Sequence, residues 1–309
     1  MILFYKSNIY GKIQETSVWE PGCWIRCIAP TEHEMEILLN EYHIEPEFLR
    51  SATDEEESSH IDVGDNSTLI VVDAPVQVDT DDDSLEFTTA PLGIILTPQN
   101  VVTICMHENL ILNNFAAGMV RNVYTNYRAQ FMLKIMFAIA TKYITNLRLI
   151  DRYYNQVEKV LEKSMKNSEL MKLLDIKKSL VYLSSSLKAN ERTIERIRLG
   201  RVIKLYDDDR DLLEDLLIEI KQGIDMSSNS LSIISSTTDA FNGIVSNNLN
   251  NVMKVLTSIT LIISLPTLIS GIYGMNVEGM PLPYFWFTMA LCGVVIAVAF
   301  VILRKKRMI

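Results

Sequence analysis

Between Asp239 and Gly274 a set of positions falls in register at alternating steps of four and three residues. They are Asp239, Gly243, Ser246, Asn250, Met253, Thr257, Thr260, Ser264, Thr267, Gly271 and Gly274. All but Met253 are small or polar, whereas Val255, Ile259, Leu261, Ile262 and Leu265 beside them are aliphatic. The same rhythm, followed backward, meets Ser236, Ser232, Asn229 and Asp225. A heptad seam between helices is ordinarily apolar, so this one faces something else. Three readings are open. Small residues pack helices closely in lipid. Hydroxyls bond back to their own helix and relieve the kink expected at Pro266. Or several copies of the stripe enclose a water-filled path. Two features favour the path: the stripe continues where close packing would use Leu and Ile, and it carries amides and a carboxylate, which are costly in lipid unless they face a cavity.

Other residues with chemical potential are scattered. Acidic stretches run from Asp54 to Glu57 and from Asp79 to Asp83. They read first as solvated loops and second as divalent-cation sites. Cys23, Cys27 and His33 match no standard zinc spacing, and Cys23 to Cys27 reads as a strand, so the thiols are expected in a core. The four cysteines form no disulfide framework, which suits a reducing compartment. His33, His43, His60 and His107 are isolated, with no nucleophile constellation, so an enzyme is not expected. There is no phosphate-binding Gly-x-x-x-x-Gly-Lys loop either.

The elements that position the stripe are legible. The chain has 309 residues, a net charge of −9 and 48% hydrophobic residues. That acidic balance argues against nucleic-acid binding. From Val255 to Leu303 only Glu278 is charged. Val255–Tyr273 and Tyr284–Leu303 are uncharged runs of about 19 and 20 residues, each long enough to cross a bilayer core. Two such helices joined by a short loop have no apolar partner elsewhere, so both are read as membrane spans. Arg304 to Arg307 follow the second span, and the loop Asn276–Pro283 has no Lys or Arg. The positive-inside rule therefore places the C-terminus, and with it residues 1–250, in the cytoplasm. Tyr284, Phe285 and Trp286 then lie at the outer interface. The apolar run at Met1–Lys6 is too short for a signal peptide.

Residues 1–115 mix strand signals (Ile2–Tyr5, Gly22–Ile28, Thr68–Val78, Leu92–Met106) with helices at Thr31–Tyr42 and Pro46–Ala52. Thr31-Glu32-His33-Glu34 fits a capping box. This predicts an α/β domain. After Asn126 no Pro occurs before Pro266, and Gln130–Lys166, Ser168–Gly200 and Asp207 onward read as three long helices. The last continues unbroken into the first span. The expected organisation is an α/β domain over 1–125, a helical hairpin over 126–206 and a stalk over 207–254. A pore-lining span over 255–273, an external loop over 274–283, a second span over 284–303 and a basic tail over 304–309 complete it.

At the outer end of the first span stands Tyr273-Gly274-Met275-Asn276, preceded by Gly271-Ile272. With Asn250, Val252 to Thr257 and Pro266-Thr267-Leu268, this stretch resembles the first transmembrane helix of the CorA magnesium transporter family. The order of the whole chain is similar too. The resemblance implies a funnel-shaped homopentamer in a bacterial inner or plasma membrane. It implies Gly274, Met275 and Asn276 as an outer selectivity loop. It places Asp239, Asn250, Met253, Leu256 and Thr267 on the ion path, with Met253 and Leu256 as a hydrophobic gate; Thr257, Thr260, Ser264 and Gly271 join them from the stripe. It implies Mg2+ as transported and regulatory ion, with possible cobalt or nickel transport and no organic cofactor. Asp215 and Asp79 are the candidate regulatory ligands. Ser264 is hydroxylic where some relatives are apolar, which argues against a second hydrophobic constriction there.

Mg2+ holds its water tightly, so Asn276 side chains and loop carbonyls would accept hydrogen bonds from the hydrated ion. Neutral amides and hydroxyls suit passage, because a ring of carboxylates would retain the ion. Glu278 reads equally as a cation-concentrating charge and as a solvated one. Two other readings stand: a zinc transporter of the ZntB type, against which Met275 argues, and a membrane-anchored oligomer that transports nothing, against which the polar seam argues.

Overall fold

The alternating apolar runs near the N-terminus pair into one sheet. The computed structural model describes residues 1–78, 85–164, 167–200, 202–275, 282 and 284–306. Its strands are β1 (Ile2–Ser7), β2 (Ile13–Thr16), β3 (Trp24–Ile28), β4 (His60–Val63), β5 (Thr68–Val78), β6 (Glu86–Leu96) and β7 (Val101–Cys105). They lie in the order β2-β1-β3-β7-β6-β5-β4; β3 and β7 run parallel and the other pairs antiparallel. The chain divides into two compact units, Met1–Ser235 and Ser236–Ile309.

Period-two alternation gives the sheet two buried faces. Ile25, Cys27, Leu69, Val71, Ile95, Val102 and Ile104 share one core with Leu38 of α1 (Glu32–Asn40) and Phe48 and Leu49 of α2 (Pro46–Thr53). Gly93 is needed there: a Cβ on it would stand 2.6 Å from that of Ala52. Thr31 and Glu34 make the expected capping box. On the other face Trp24 meets Phe131 of α4 (Arg128–Ser164) edge-on at 5.4 Å and donates to Thr103 Oγ1 at 2.8 Å. The stretch Leu92–Met106 is two strands, because Thr97 and Asn100 close a turn: Thr97 N donates to Asn100 O at 3.0 Å and Asn100 N to Thr97 Oγ1 at 2.9 Å. The short elements β2, β4 and α3 (Leu110–Ala116) carry no period long enough to be read from sequence.

The long helices are α4, α5 (Asn167–Arg198), α6 (Asp207–Tyr273) and α7 (Phe285–Lys305). As expected, α6 is a single helix of 67 residues that carries Pro266 inside it. Its upstream part buries Leu213, Leu216, Leu217, Ile220 and Ile234, a seam of near-heptad spacing. At Gly223 a Cβ would meet the Leu187 methyls of α5 at 3.2 Å and Ile144 Cδ1 of α4 at 3.6 Å, and Lys221 pairs with Glu195 at 3.6 Å.

β4 pairs only with Thr68–Val71, so β5 needs other partners beyond that point. The helices supply them. Asp73 N donates to Asn190 Oδ1 at 2.9 Å, Asn190 Nδ2 donates back to Asp73 O at 2.8 Å, and Tyr143 OH donates to the same carbonyl at 3.0 Å. All three residues are buried. Burial also pushes the Asp73 carboxyl up to about 6, opposed by a hydrogen bond with Ser186.

Two outcomes follow for the full-length protein in detergent. Asn190→Ala orphans the buried Asp73 N–H and lowers stability by about 2–3 kcal/mol, read as a fall in the unfolding midpoint. The Asp73 carboxyl favours the folded state only while protonated, so its contribution is full below the ordinary Asp pKa and is lost as pH rises through about 6. Asp73→Asn therefore gains on the wild type from about pH 4 upward, levelling near 2–3 kcal/mol above pH 7. Parallel pH–stability curves would refute the assignment.

Candidate functional site

A helix that is apolar on most sides must bury or cover its polar side. In α6 the polar side is uncovered within the chain. Asp225, Asn229, Ser232, Ser236, Asp239, Gly243, Ser246 and Asn250 are all exposed, and so are Met253, Leu256, Thr257, Thr260, Ser264, Thr267, Gly271, Gly274 and Met275. A Cβ at Gly243 or Gly271 would meet nothing within 4 Å among the described residues. Upstream, the stripe lies roughly opposite the buried Ser227 and Ile234 when the helix advances 100° per residue.

Downstream the contrast repeats. Ser258 is fully buried, and Lys254, Ile262, Leu265, Pro266 and Ile269 are partly covered. Leu261 and Leu265 line an apolar pocket with Val294, Val298 and Leu303 of α7, and Cys292 Sγ lies 4.0 Å from the Pro266 carbonyl. α7 thus lies on one side of α6, and the stripe is centred on roughly the other at that helical advance. Both helices are long and apolar enough to cross a membrane, and 6% of each most apolar window is buried.

Of the three readings of the hydroxyls, one is realised at two positions. Thr260 Oγ1 donates to Leu256 O at 2.9 Å and Thr267 Oγ1 to Ile263 O at 2.8 Å. Each hydroxyl spends its proton on its own helix. Its lone pairs remain as acceptors on the stripe side.

The helix ends at Tyr273; Gly274 N donates to Ser270 O at 2.9 Å and Met275 N to Ile272 O at 3.2 Å. Asn276 and Glu278 lie outside the described residues, as do Arg307, Asp79 and the whole acidic stretch to Asp83. Asp215 is exposed on α6. Among the described residues no group of three His, Cys, Asp or Glu side chains is placed to hold a metal ion. Asp54–Glu57 is a turn, exposed at Asp54, Glu55 and Glu56, whose Glu55 meets His107 at 3.1 Å. Cys23 and Cys27 are fully buried, and burial pushes the Cys27 thiol up to about 12, so neither is a ready thiolate ligand. His33 is exposed and pairs with Glu36 at 4.0 Å. Sequence reasoning missed one group of polar residues, at the ends of β6, α4 and α6. They belong to segments far apart in the chain, and no periodicity links them.

Comparison with known proteins places this architecture. Residues 19–305 match the family model described as CorA-like Mg2+ transporter protein. The chain is 27% identical over 298 residues to the cobalt/magnesium transport protein CorA of Methanocaldococcus jannaschii, covering 92% of this chain and 90% of that one. It is 30% identical over 201 residues to the CorA of Thermotoga maritima, covering 60% of this chain and 55% of that one. The complete structure of the Methanocaldococcus jannaschii CorA magnesium transporter superposes with a TM-score of 0.84 at 26% identity, over 99% of this chain and 98% of that one. An α/β domain, a long helix and two apolar C-terminal helices in that order, matched over nearly the whole chain, make this protein a member of the CorA-like Mg2+ transporter family.

Proposed function

We propose that this chain conducts hydrated Mg2+ passively into the cytoplasm as a homopentamer, with cobalt or nickel as further cargo. The observation that carries the reading is the polar stripe of α6, uncovered in the single chain, in a protein of a magnesium-transporter family. Copies of α6 facing one another across a common axis would cover it. The path runs past Asp239, Asn250, Met253, Leu256, Thr257, Thr260, Ser264, Thr267 and Gly271. Met253 and Leu256 form its apolar constriction, which gates by expelling water. Gly274, Met275 and Asn276 form the outer selectivity loop.

The chemistry is consistent along the path. Mg2+ gives up its waters reluctantly, so the walls need acceptors for water hydrogens rather than direct ligands. Thr260 and Thr267 supply them, since their protons are already spent inward. An inside-negative potential favours entry of a divalent ion by about 4.6 kcal/mol per 100 mV, so no ATP is required. Intracellular Mg2+ closes the channel, with Asp215 and Asp79 as its ligands. The termini are cytoplasmic and the protein sits in a bacterial plasma membrane, as the position of Arg304, Lys305 and Lys306 at the C-terminal end of α7 supports.

Flux into proteoliposomes loaded with a magnesium indicator, at an inside-negative potential, tests the reading. Asn276→Ala is expected to lower Mg2+ influx by about tenfold or more, with oligomer size unchanged. Equal influx would remove Asn276 from selectivity. A Cβ at Gly271 meets nothing within 4 Å among the described residues, so Gly271→Leu is expected to keep the oligomer size of the wild type, yet it should block influx where several copies converge. Unchanged influx in that variant would take Gly271 off the path. Zinc-only influx would favour the ZntB-type reading, and no influx of any divalent ion would favour a membrane-anchored oligomer without transport.

A further inference from the structure

A cleft of about 680 Å³ opens within the Met1–Ser235 unit, where the β6–β7 turn, the start of α4 and the residues leading into α6 meet. That is the size of sites for cofactor-sized ligands. No stripe residue lines it, and the transport reading does not use it.

Two cations stand on its walls, Arg128 and Lys204. Arg128 donates through one guanidinium nitrogen to the Thr97 carbonyl, which fixes the group and leaves its other N–H donors available. The Lys204 ammonium lies 5.6 Å over the Tyr206 ring. Among the described residues neither cation is ion-paired, although Asp208 and Asp209 line the same cleft. Asp209 is buried and its carboxylate accepts from Tyr206 N at 3.0 Å, so it serves the first turn of α6. Two carboxylates thus share the cleft with the two cations, and because neither cation is ion-paired among the described residues, both keep donors for charge-assisted hydrogen bonds to an anion.

The remaining walls suit a flat, aromatic group. Tyr127 and Tyr206 are 58% and 67% exposed as residues, the first beside the Tyr124 ring at 5.7 Å and the second beneath Lys204. Exposed aromatic faces beside a groove are stacking platforms for bases. Asn126 and Gln130 bring amides, which can donate and accept at a ring edge. Inorganic phosphate would leave the rings and most of the volume unused. A neutral apolar ligand would leave both cations unpaired.

We propose that this cleft binds a nucleotide, its base on a tyrosine face and its phosphates at Arg128 and Lys204. Asp208, exposed at the rim, accepts from ribose hydroxyls.

Isothermal titration of the full-length protein in detergent tests this directly, and it reads binding whether or not the chain conducts an ion. The probes are ATP, ADP, adenosine and inorganic triphosphate. ATP and ADP are expected to bind at submillimolar concentration, with adenosine and triphosphate each weaker by about tenfold, since each makes part of the contacts. Lys204→Gln should weaken ATP by about tenfold and leave adenosine unchanged, whereas Tyr206→Ala should weaken ATP and adenosine and leave triphosphate unchanged. Both side chains are exposed, so an unaltered thermal midpoint verifies that the fold is kept. Absence of ATP binding up to about 5 mM overturns the proposal. So does triphosphate binding as tightly as ATP, which would make the cleft an anion site alone, and so does ATP binding that neither variant alters.

Discussion

A polar side chain on a membrane-spanning helix has to meet water, another polar group or its own backbone, since lipid offers it nothing. That constraint shapes α6 and, through it, the chain. The helix carries amides, hydroxyls and glycines on one side and aliphatic residues on the others. α7 packs along the side away from the stripe, where Leu265 and Pro266 lie. Thr260 and Thr267 settle half of their requirement internally, by donating to Leu256 and Ile263. The acceptor half is left over on the stripe side. A single copy does not satisfy it. In the proposed assembly, copies of α6 that share a wet interior would supply what the single chain leaves open.

The upstream part of α6 shows how such a helix is held without covering its polar side. Its apolar seam is given to the chain's own helices: Leu213, Leu217, Ile220 and Ile234 are buried, and Gly223 allows Leu187 and Ile144 to approach. The stripe runs on the other side, with Asp225, Asn229 and Ser232 exposed. A helix whose two sides have different spacing rules keeps its rotational setting, because any turn about its axis would bury a carboxylate or expose a leucine.

Much of this was legible from the residues, and the limits have physical causes. Thr31 and Glu34 announced a helix start because a capping box is local chemistry. Thr68–Val78 announced its strand in full because eleven residues of β-forming sequence leave no other assignment. The two spans and the long helix were readable because hydropathy and period persist over many turns. β2, β4 and α3 were not, since four to seven residues carry too little pattern. The Leu92–Met106 run hid its turn because apolar and β-branched residues flank it on both sides, and Pro98 alone marks the place where Thr97 and Asn100 close it. The stripe was visible because a helix repeats itself. The Asp73–Asn190–Tyr143 cluster was not, because its members come from three elements and only the fold brings them together.

The same distinction separates the two sites. The proposed ion path repeats one helical spacing, so each subunit contributes an identical row and selectivity rests on neutral acceptors set around an axis. Such a site binds weakly by design, since an ion held tightly does not move on. The cleft at Arg128 and Lys204 has the opposite character. It is built once per chain, from unlike groups on four segments, with Arg128 held by the Thr97 carbonyl and two exposed tyrosines. Dissimilar groups converging on one volume favour retention of a particular ligand over passage. One wall of that cleft is the first turn of α6, the helix that bears the stripe. A ligand that bound there with different affinity in two settings of that turn would shift the balance between them, and a ligand indifferent to the setting would leave it unchanged.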